Sequence, residues 1–291
     1  MKMKLKSKIA LLICLFFLTG IATQAQVSSD WDKDTRILRE IAEINTGFPI
    51  DSVIWISALY FTDSPYVAST LEGEKEETLI VNLRQFDCTT FVENCLALSR
   101  CMQYPNPDMD YFERILRQIR YRNGHIDGYT SRLHYTSDWI YDNVRKGILE
   151  DITHALGGHR YKPKVFFMSK NTDRYPALKK DAEEMKKMRE IESGINSRNN
   201  YFYIPQKEIL ERQSRIKNGD IICFTTSVPG LDISHIGIAY WYKNQLTFVH
   251  ASSKEKKVII NPESLTDYCE KIKTNTGIIV LRANNFISDK L

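Results

Sequence analysis

A cysteine and two histidines stand in sequence settings where thiol chemistry is feasible. Cys88 lies at or just after the start of a helix predicted within Gln85–Leu98, whose apolar residues recur at three- and four-residue spacing. In the first turn of a helix, free backbone N–H groups and the positive end of the helix dipole favour a thiolate over a thiol. We therefore expect Cys88 to be reactive, although an isolated cysteine more often just begins a core helix.

The two histidines fall on neighbouring predicted strands. His235 opens one strand (Ser234–Tyr242) and His250 closes the next. If the strands form a hairpin with a loop of even length, paired residue numbers sum to an odd value such as 485 or 487. The two histidines sum to 485, so both rings are predicted to share one face, opposite or diagonal to each other. The small residues Gly237 and Ala239 share that face and would leave room for a helix to pack closely.

This combination suits nucleophilic catalysis by a cysteine. Cys88 would attack a carbonyl carbon, and His235 would take the thiol proton and then give it to the leaving nitrogen. His250 would fix the ring orientation and the tautomer of His235. A lone histidine on a strand is usually structural, but two on one face beside a cysteine at a helix start form a much rarer combination.

The pattern of elements predicts an α+β fold. Helical or apolar segments dominate the first two thirds: a helix at 33–44, an apolar run at 53–61, the Cys88 helix, a helix at 111–121 and a charged helix from Pro176 to about Ile191. A short strand is predicted at 78–83, before the Cys88 helix. The last third predicts one helix, 262–273, and five strands: 220–226, 234–242, 245–252, 257–261 and 277–283. Helices followed by a run of strands are typical of a mostly antiparallel sheet with helices on it.

The first 26 residues have the features of an export signal. Four lysines precede the apolar run Ile9–Leu18, and small residues lead to a cleavage position near Ala25 or Gln26. The run is too short to span a membrane comfortably, so we expect an exported, periplasmic protein with no stable membrane anchor after cleavage. Surface or extracellular residence, and an uncleaved anchor, are the alternatives. Residues 27–291 are predicted to form a single domain with a helical and loop insertion around 105–217.

Charge and cysteine content exclude several classes. The four signal lysines account for the net charge of +4, so the mature chain is near neutral and no nucleic-acid partner is predicted. Five cysteines follow the signal, and an odd number in an exported protein indicates at least one free thiol. Cys95, two helical turns after Cys88, is predicted to fill the core. The pairing of the others stays open: Cys101, Cys223 and Cys269.

The segment 121–139 has an unusual composition. It combines aromatic rings, two arginines, a histidine and several hydroxyls without a clean period of 2 or 3.6. Such a mixture suits a loop that lines a polar, sugar-tolerant cleft, because rings stack on sugar faces and polar groups bind hydroxyls. A well hydrogen-bonded loop that fills space between elements is the equal alternative.

Four motifs resemble the NlpC-type superfamily of papain-like cell-wall hydrolases. They occur in the family's order: Phe86–Val92 (FDCTTFV), Gly219–Ile222 (GDII), Ser234–Ile238 (SHIGI) and Val249–Ala251 (VHA). The resemblance implies a papain-like fold with Cys88 as nucleophile, His235 as base and His250 as the orienting residue. It also implies that no metal and no other cofactor takes part.

A narrower resemblance points to one branch, formerly a domain of unknown function and described as N-acetylmuramoyl-L-alanine amidases. The matching segments are Ser64–Glu72, Thr89–Thr90, Ser131–Trp139 and Gly230–His235. This branch implies cleavage between the lactyl group of N-acetylmuramic acid, including its 1,6-anhydro form, and L-alanine of peptidoglycan fragments. By resemblance Tyr66 would donate to the oxyanion, and the implied substrate-binding residues are Arg132, His134, Tyr135, Asp138, Trp139 and Ser234.

Three alternatives stay open at this point. The same fold could cut γ-D-glutamyl–diamino-acid bonds inside the stem peptide. A protein of another class, a catalytically silent peptidoglycan-binding module, would normally have lost one of the three catalytic positions. A zinc amidase could use His235, His250 and His134, but the sequence contains no H-E-x-x-H pattern or comparable ligand cluster.

Overall fold

The computed structural model of the chain describes residues 31–45, 47–72 and 76–284, so the predicted export signal lies outside the described residues. In the described part the helices are α1 (Trp31–Asn45), α2 (Ile50–Tyr60), α3 (Cys88–Cys101), α4 (Met109–Arg120), α5 (Thr136–Arg145), α6 (Phe167–Lys170), α7 (Pro176–Lys180), α8 (Ala182–Ser197), α9 (Ile209–Arg212) and α10 (Leu265–Lys271). None of these described helices is long and apolar enough to cross a membrane.

One antiparallel sheet holds the strands together. The strands are β1 (Leu149–Asp151), β2 (His159–Tyr161), β3 (Tyr201–Pro205), β4 (Ile221–Thr226), β5 (Ile233–Tyr242), β6 (Gln245–Ser252), β7 (Lys257–Ile260) and β8 (Asn275–Ala283). Their order in the sheet is β2-β3-β8-β4-β5-β6-β7, and β1 also pairs with β8. This combination of helices and an antiparallel sheet confirms the predicted α+β fold.

The two faces of the sheet carry different helices because side chains alternate along each strand. One face, with Ile236, Ile238 and Val249, joins a core formed with α2, α3 and α4. The opposite face, with Ala239 and Phe248, packs against α10. His235 and His250 share the face of Ala239 and Phe248, so the candidate histidines lie on the opposite side of the sheet from α3.

The β5–β6 hairpin has the predicted register. Tyr242 pairs with Gln245, so the loop is the two residues Lys243 and Asn244. Both have positive φ, at 48° and 66°, as a tight two-residue hairpin turn requires. The sum of paired residue numbers is consequently odd, and the two candidate histidines lie on one face.

The segment 78–83 is not a strand, contrary to the prediction. Its backbone groups are bound by side chains instead of by a neighbouring strand: Arg120 Nη1 donates to the Ile80 carbonyl at 2.6 Å, and the Leu83 N–H donates to Asp34 Oδ1 at 3.1 Å. Because buried backbone groups need a partner of some kind, these side chains replace a sheet ladder. The apolar side chains Val81 and Leu83 of this segment are buried.

The charged helix predicted from Pro176 to Ile191 is two helices. Asp181 adopts an extended conformation between α7 and α8, and its carboxylate accepts hydrogen bonds from the N–H groups of Glu183 and Glu184. An aspartate at this position is a strong helix start, so the chain restarts there. The second helix then passes through Gly194, which was expected to end it, and continues to Ser197.

The segment 105–217 also contributes to the sheet. It contains β1, β2 and β3, and both β1 and β3 pair with the last strand, β8. The predicted insertion therefore includes strands of the sheet in addition to helices and loops. The division of the chain into a signal and one domain stays a prediction.

Candidate functional site

Cys88 is the first residue of α3, and its position is fixed by a capping box. The Thr90 N–H donates to Asp87 Oδ1 at 2.8 Å, and the Asp87 N–H donates to Thr90 Oγ1 at 2.9 Å. These reciprocal bonds hold the helix start rigidly and leave the partly exposed Cys88 beside free helix N–H groups.

The sheet opens beside the nucleophile. Between β5 and β6, the ladder of paired residues in this fully described segment ends at Ile238 and Val249. Before Ile238, β5 pairs with β4 alone, and after Val249, β6 pairs with β7 alone. The Ile236 N–H therefore faces the Cys88 thiol, where it lowers the pKa of that group. The opening brings Cys88 next to the start of β5 although α3 packs on the other face of the sheet.

His235 and His250 are in direct contact. His235 Nε2 lies 2.7 Å from His250 Nδ1, and the rings are nearly perpendicular at 85°. The prediction that both rings share a face is confirmed, with a diagonal arrangement. Since Nε2 of His235 is engaged by His250, Nδ1 is the ring nitrogen that His250 does not occupy.

Gly237 makes room for this histidine pair. A Cβ at Gly237 would lie 2.7 Å from Phe248 Cδ2 and 3.2 Å from His250 Cβ. A helix does pack on this face, but it is α10, whose Leu265 and Cys269 lie in one cluster with Ala239; α3 covers the opposite face. Any larger residue at position 237 would push His250 away from His235.

Burial keeps both the thiol and the imidazole neutral. It raises the pKa of Cys88 to about 12, and the Asp87 carboxylate adds to this increase. The helix and Ile236 N–H groups lower the pKa by less than burial raises it, so the predicted resting thiolate is wrong. Burial also lowers the pKa of His235 to about 4. At neutral pH the resting pair is therefore a thiol and a neutral imidazole, ready for general-base catalysis.

This charge state predicts the pH dependence of alkylation. Because only the thiolate reacts, we expect the rate of Cys88 alkylation by iodoacetamide to keep rising with pH up to about pH 10. The alkylation site is checked by mass spectrometry across the pH series, with Cys88→Ala as the unlabelled control. A plateau between about pH 5 and pH 9 would instead demonstrate a preformed thiolate–imidazolium pair.

Tyr66 lies beside the nucleophile, as the resemblance implied. The Val67 N–H donates to the Phe86 carbonyl at 2.9 Å, and the Phe86 N–H donates to the Pro65 carbonyl at 3.0 Å. This short parallel pairing places Tyr66 next to the turn that precedes α3. Burial and the neighbouring Cys88 and Asp87 charges raise the pKa of Tyr66, so its hydroxyl stays protonated as a hydrogen-bond donor.

Comparison with known proteins identifies the family. A family model described as AmiA-like, N-acetylmuramoyl-L-alanine amidase-like, matches residues 56–278, which include Cys88, His235 and His250. The chain belongs to the N-acetylmuramoyl-L-alanine amidase-like family. No curated protein matches the chain.

Solved structures show the same amidase-like fold. An N-acetylmuramoyl-L-alanine amidase from Bacteroides uniformis is 38% identical, with a TM-score of 0.78, over 81% of this chain and 99% of that one. A putative xylanase from Bacteroides fragilis is 44% identical, with a TM-score of 0.75, over 78% and 99%. A Legionella pneumophila protein is 25% identical, with a TM-score of 0.66, over 87% and 95%.

Tyr268 is a site residue that the sequence analysis missed. Its ring, on α10, lies 6.2 Å from His235 and 5.9 Å from His250 between ring centroids. Burial raises the pKa of Tyr268 to about 12, and nearby Cys88, once ionised, adds to this increase. With Phe224 and Phe248, which also contact these rings, Tyr268 forms an aromatic wall around the histidines. The short helix at 262–273 was predicted, but its packing face could not be.

Several residues of the 129–139 loop, which were predicted to contact substrate, are buried in the structure. Arg132 is 6% exposed; it donates to Glu72 Oε1 at 2.7 Å and lies 3.3 Å from Glu77 Oε1. Its guanidinium group thereby joins the loop to the segment before α3. Arg132 is thus paired with carboxylates of its own chain, and its contact with substrate stays a prediction.

Three further residues of this loop serve the interior. Tyr135 donates from its hydroxyl to Glu192 at 2.8 Å. Asp138, 1% exposed, pairs with Arg122 and Arg198, and Trp139 lies in the main core. All three side chains are buried, which favours the space-filling alternative; their contact with substrate stays a prediction.

His134 and Ser234 retain some exposure. His134 Nε2 bonds the Tyr129 carbonyl at 2.8 Å, which holds this ring in its own loop, outside the His235–His250 pair. Ser234 is exposed and donates to Asn275 Oδ1 at 3.0 Å. In the described residues no group of three histidine, cysteine, aspartate or glutamate side chains could hold a metal ion. The geometry therefore gives no support to the zinc-site alternative.

All five described cysteines are free. Cys95, Cys101, Cys223 and Cys269 have no exposed surface, and burial raises the pKa of each thiol. The prediction that Cys95 fills the core is confirmed. Cys88 is the one thiol among the described residues that solvent can reach.

Proposed function

We propose that this chain is an exported, cysteine-dependent N-acetylmuramoyl-L-alanine amidase. It cleaves the amide between the lactyl group of N-acetylmuramic acid, in its reducing or 1,6-anhydro form, and L-alanine of peptidoglycan fragments. The observation that carries the proposal is the 2.7 Å His235–His250 contact beside Cys88, in a chain of the amidase-like family.

Acylation begins from the neutral pair. Cys88 Sγ bonds the lactyl carbonyl carbon while His235 Nδ1 takes the thiol proton. The resulting oxyanion receives hydrogen bonds from the N–H group of Cys88 at the helix start and from the Tyr66 hydroxyl. When this intermediate collapses, the C–N bond breaks, and His235 returns the proton to the alanine nitrogen, so the peptide leaves with a free amine.

Deacylation repeats the same steps with water. The water oxygen bonds the thioester carbon while His235 Nδ1 takes its proton. The C–S bond then breaks, the proton returns to the sulfur, and the lactyl group leaves as a carboxylic acid. Every proton thus passes through His235, and no step requires a metal or a cofactor.

The surroundings of the pair support amide hydrolysis over glycoside hydrolysis. A glycosidase such as a xylanase needs two carboxyl groups that flank the scissile bond. The groups gathered at the opening of the sheet are a thiol and two imidazoles, inside an aromatic wall. The name of the B. fragilis structure therefore does not carry over to this chain.

Export and partner choice follow from the proposed substrate. Peptidoglycan lies outside the cytoplasmic membrane, and the basic and apolar pattern of residues 1–26 is that of an export signal. We propose periplasmic action on soluble peptidoglycan fragments, without a nucleic-acid partner and without a stable membrane anchor after cleavage.

The decisive experiment is product mapping on an N-acetylmuramoyl tetrapeptide and on its 1,6-anhydro form. We expect mass spectrometry to detect free tetrapeptide and free sugar, and we expect iodoacetamide, but not a chelator, to stop the reaction. Cleavage inside the peptide would replace the amidase proposal with an endopeptidase. If neither substrate is cleaved, the chain is a binding module and the proposal fails.

A further inference from the structure

Asn261 lies in line with the two histidines on the next strand of the sheet. β6 and β7 pair His250 with Ile259, and the Asn261 N–H donates to the Phe248 carbonyl at 2.9 Å, which continues this register by two residues. Directly opposed residues of an antiparallel pair share a face, so Asn261 shares the face of Phe248 and His250.

The same diagonal step relates His235 to His250. The β5–β6 register would place His250 level with Gly237, two residues along β5 from His235. His235, His250 and Asn261 therefore form one diagonal row across three consecutive strands. This diagonal step brings the two histidines into contact at 2.7 Å, and Asn261 stands in the same relation to His250.

The proton positions leave one donor of this row without a partner. If His235 uses Nδ1 as the base, its Nε2 carries the proton donated to His250 Nδ1, and a neutral His250 must carry its own proton on Nε2. That nitrogen is buried and has no hydrogen-bond partner within the described part of the chain. A buried donor without an acceptor is destabilising, so an acceptor is expected nearby.

The amide of Asn261 is oriented to provide that acceptor. Its Nδ2 donates to the Glu263 carbonyl at 2.9 Å, and the main-chain carbonyl of Asn261 accepts from Thr247 Oγ1 at 2.7 Å. Because Nδ2 is held in this way, Oδ1 is the atom left to accept a hydrogen bond. Asn261 is 6% exposed, and its side chain raises the pKa of His250 against the lowering effect of burial.

We propose that Asn261 is a positioning residue of the catalytic row, whose Oδ1 accepts the Nε2–H of His250 when His235 takes the proton of Cys88. No further proton is transferred: His250 keeps its proton and presents Nδ1 to the imidazolium of His235. The row then runs from the thiol to a neutral amide, and it stabilises the positive charge that forms during acylation.

The kinetic test compares two substitutions at this position and rests on the proposed amidase activity. Asn261→Leu, which removes the acceptor, is expected to lower kcat about 10-fold with KM unchanged. Asn261→Asp keeps an oxygen acceptor toward His250 and is expected to retain kcat within about 3-fold of the wild type. Thr247→Val is the matched control: it loses bonds to the same turn without touching the histidines, and should keep kcat. Equal kcat in wild type and Asn261→Leu would overturn the proposal.

A spectroscopic test needs no substrate and so separates this inference from the proposed function. Imidazole ¹H–¹⁵N spectra should show a downfield, slowly exchanging Nε2–H of His250 in the wild type and in Asn261→Asp. In Asn261→Leu this proton should move upfield or exchange with water, while Thr247→Val leaves it unchanged. An identical His250 signal in wild type and Asn261→Leu refutes the role of Asn261, whatever reaction the protein catalyses.

Discussion

Replacing Cys88 with alanine is expected to reduce kcat/KM for the muramoyl peptide by on the order of 10⁴-fold or more. The loss is large because the thioester intermediate cannot form without the thiol. Substrate binding should persist, since the thiol contributes little to the ground-state complex. The measurement is release of free peptide under single-turnover conditions, with binding followed separately by calorimetry.

The matched control for this substitution lies on the same helix. Cys95→Ala removes a thiol two turns later, where Cys95 has no exposed surface and belongs to the main core. This variant should lose some stability through the cavity that it creates, yet keep near wild-type kcat/KM. If Cys88→Ala retained more than about a tenth of the activity, the cysteine mechanism would be refuted.

Removing the partner of a buried arginine should cause the largest loss of stability. Glu93 on α3 and Arg120 on α4 are 2% and 1% exposed, and Arg120 Nε donates to Glu93 Oε2 at 2.7 Å. Glu93→Met would leave the arginine charge buried with only the Ile80 carbonyl as a neutral partner. We expect the free energy of unfolding to fall by about 3–5 kcal/mol, measured by urea denaturation at neutral pH.

A double variant tests whether charge, and not packing, is responsible. Glu93→Met with Arg120→Met replaces both charges with apolar side chains, so it should be more stable than Glu93→Met alone. The exposed ion pair Asp173–Lys179 gives the control, because Asp173→Asn breaks a pair that water already screens. A double variant that merely adds the two single losses would show that the pair is not energetically coupled.

The Glu93–Arg120 ion pair affects the site as well as stability. Glu93 follows Cys88 by five residues on α3, and Arg120 ends α4, so the pair joins the nucleophile helix to its neighbour. Arg120 also bonds the segment 78–83 that leads into the nucleophile turn. We therefore expect Glu93→Met to lower the fraction of correctly folded enzyme more than the kcat of the folded fraction.

Local sequence determined the helix start and the strand pair. The Asp87–Thr90 capping box needs only residues three positions apart, so the position of Cys88 in the first helical turn follows from short-range chemistry. The alternating pattern of β5 and β6 and the two-residue turn at 243–244 fix the register, and with it the shared face of His235 and His250. These features were correctly predicted because each depends on neighbours along the chain.

Tertiary structure decided how these parts meet and what charge they carry. The opening between β5 and β6 lets Cys88 reach the start of β5 from the far face, and no sequence period indicates where a ladder will end. Burial, a sum over distant contacts, raises the pKa of Cys88 where the helix start alone predicts a thiolate. Distant contacts also decided the position of Arg132. The composition of its loop suits a cleft, but its partners Glu72 and Glu77 lie about 60 residues earlier in the chain. Long-range packing, which local patterns do not encode, therefore buries the Arg132 side chain in the interior.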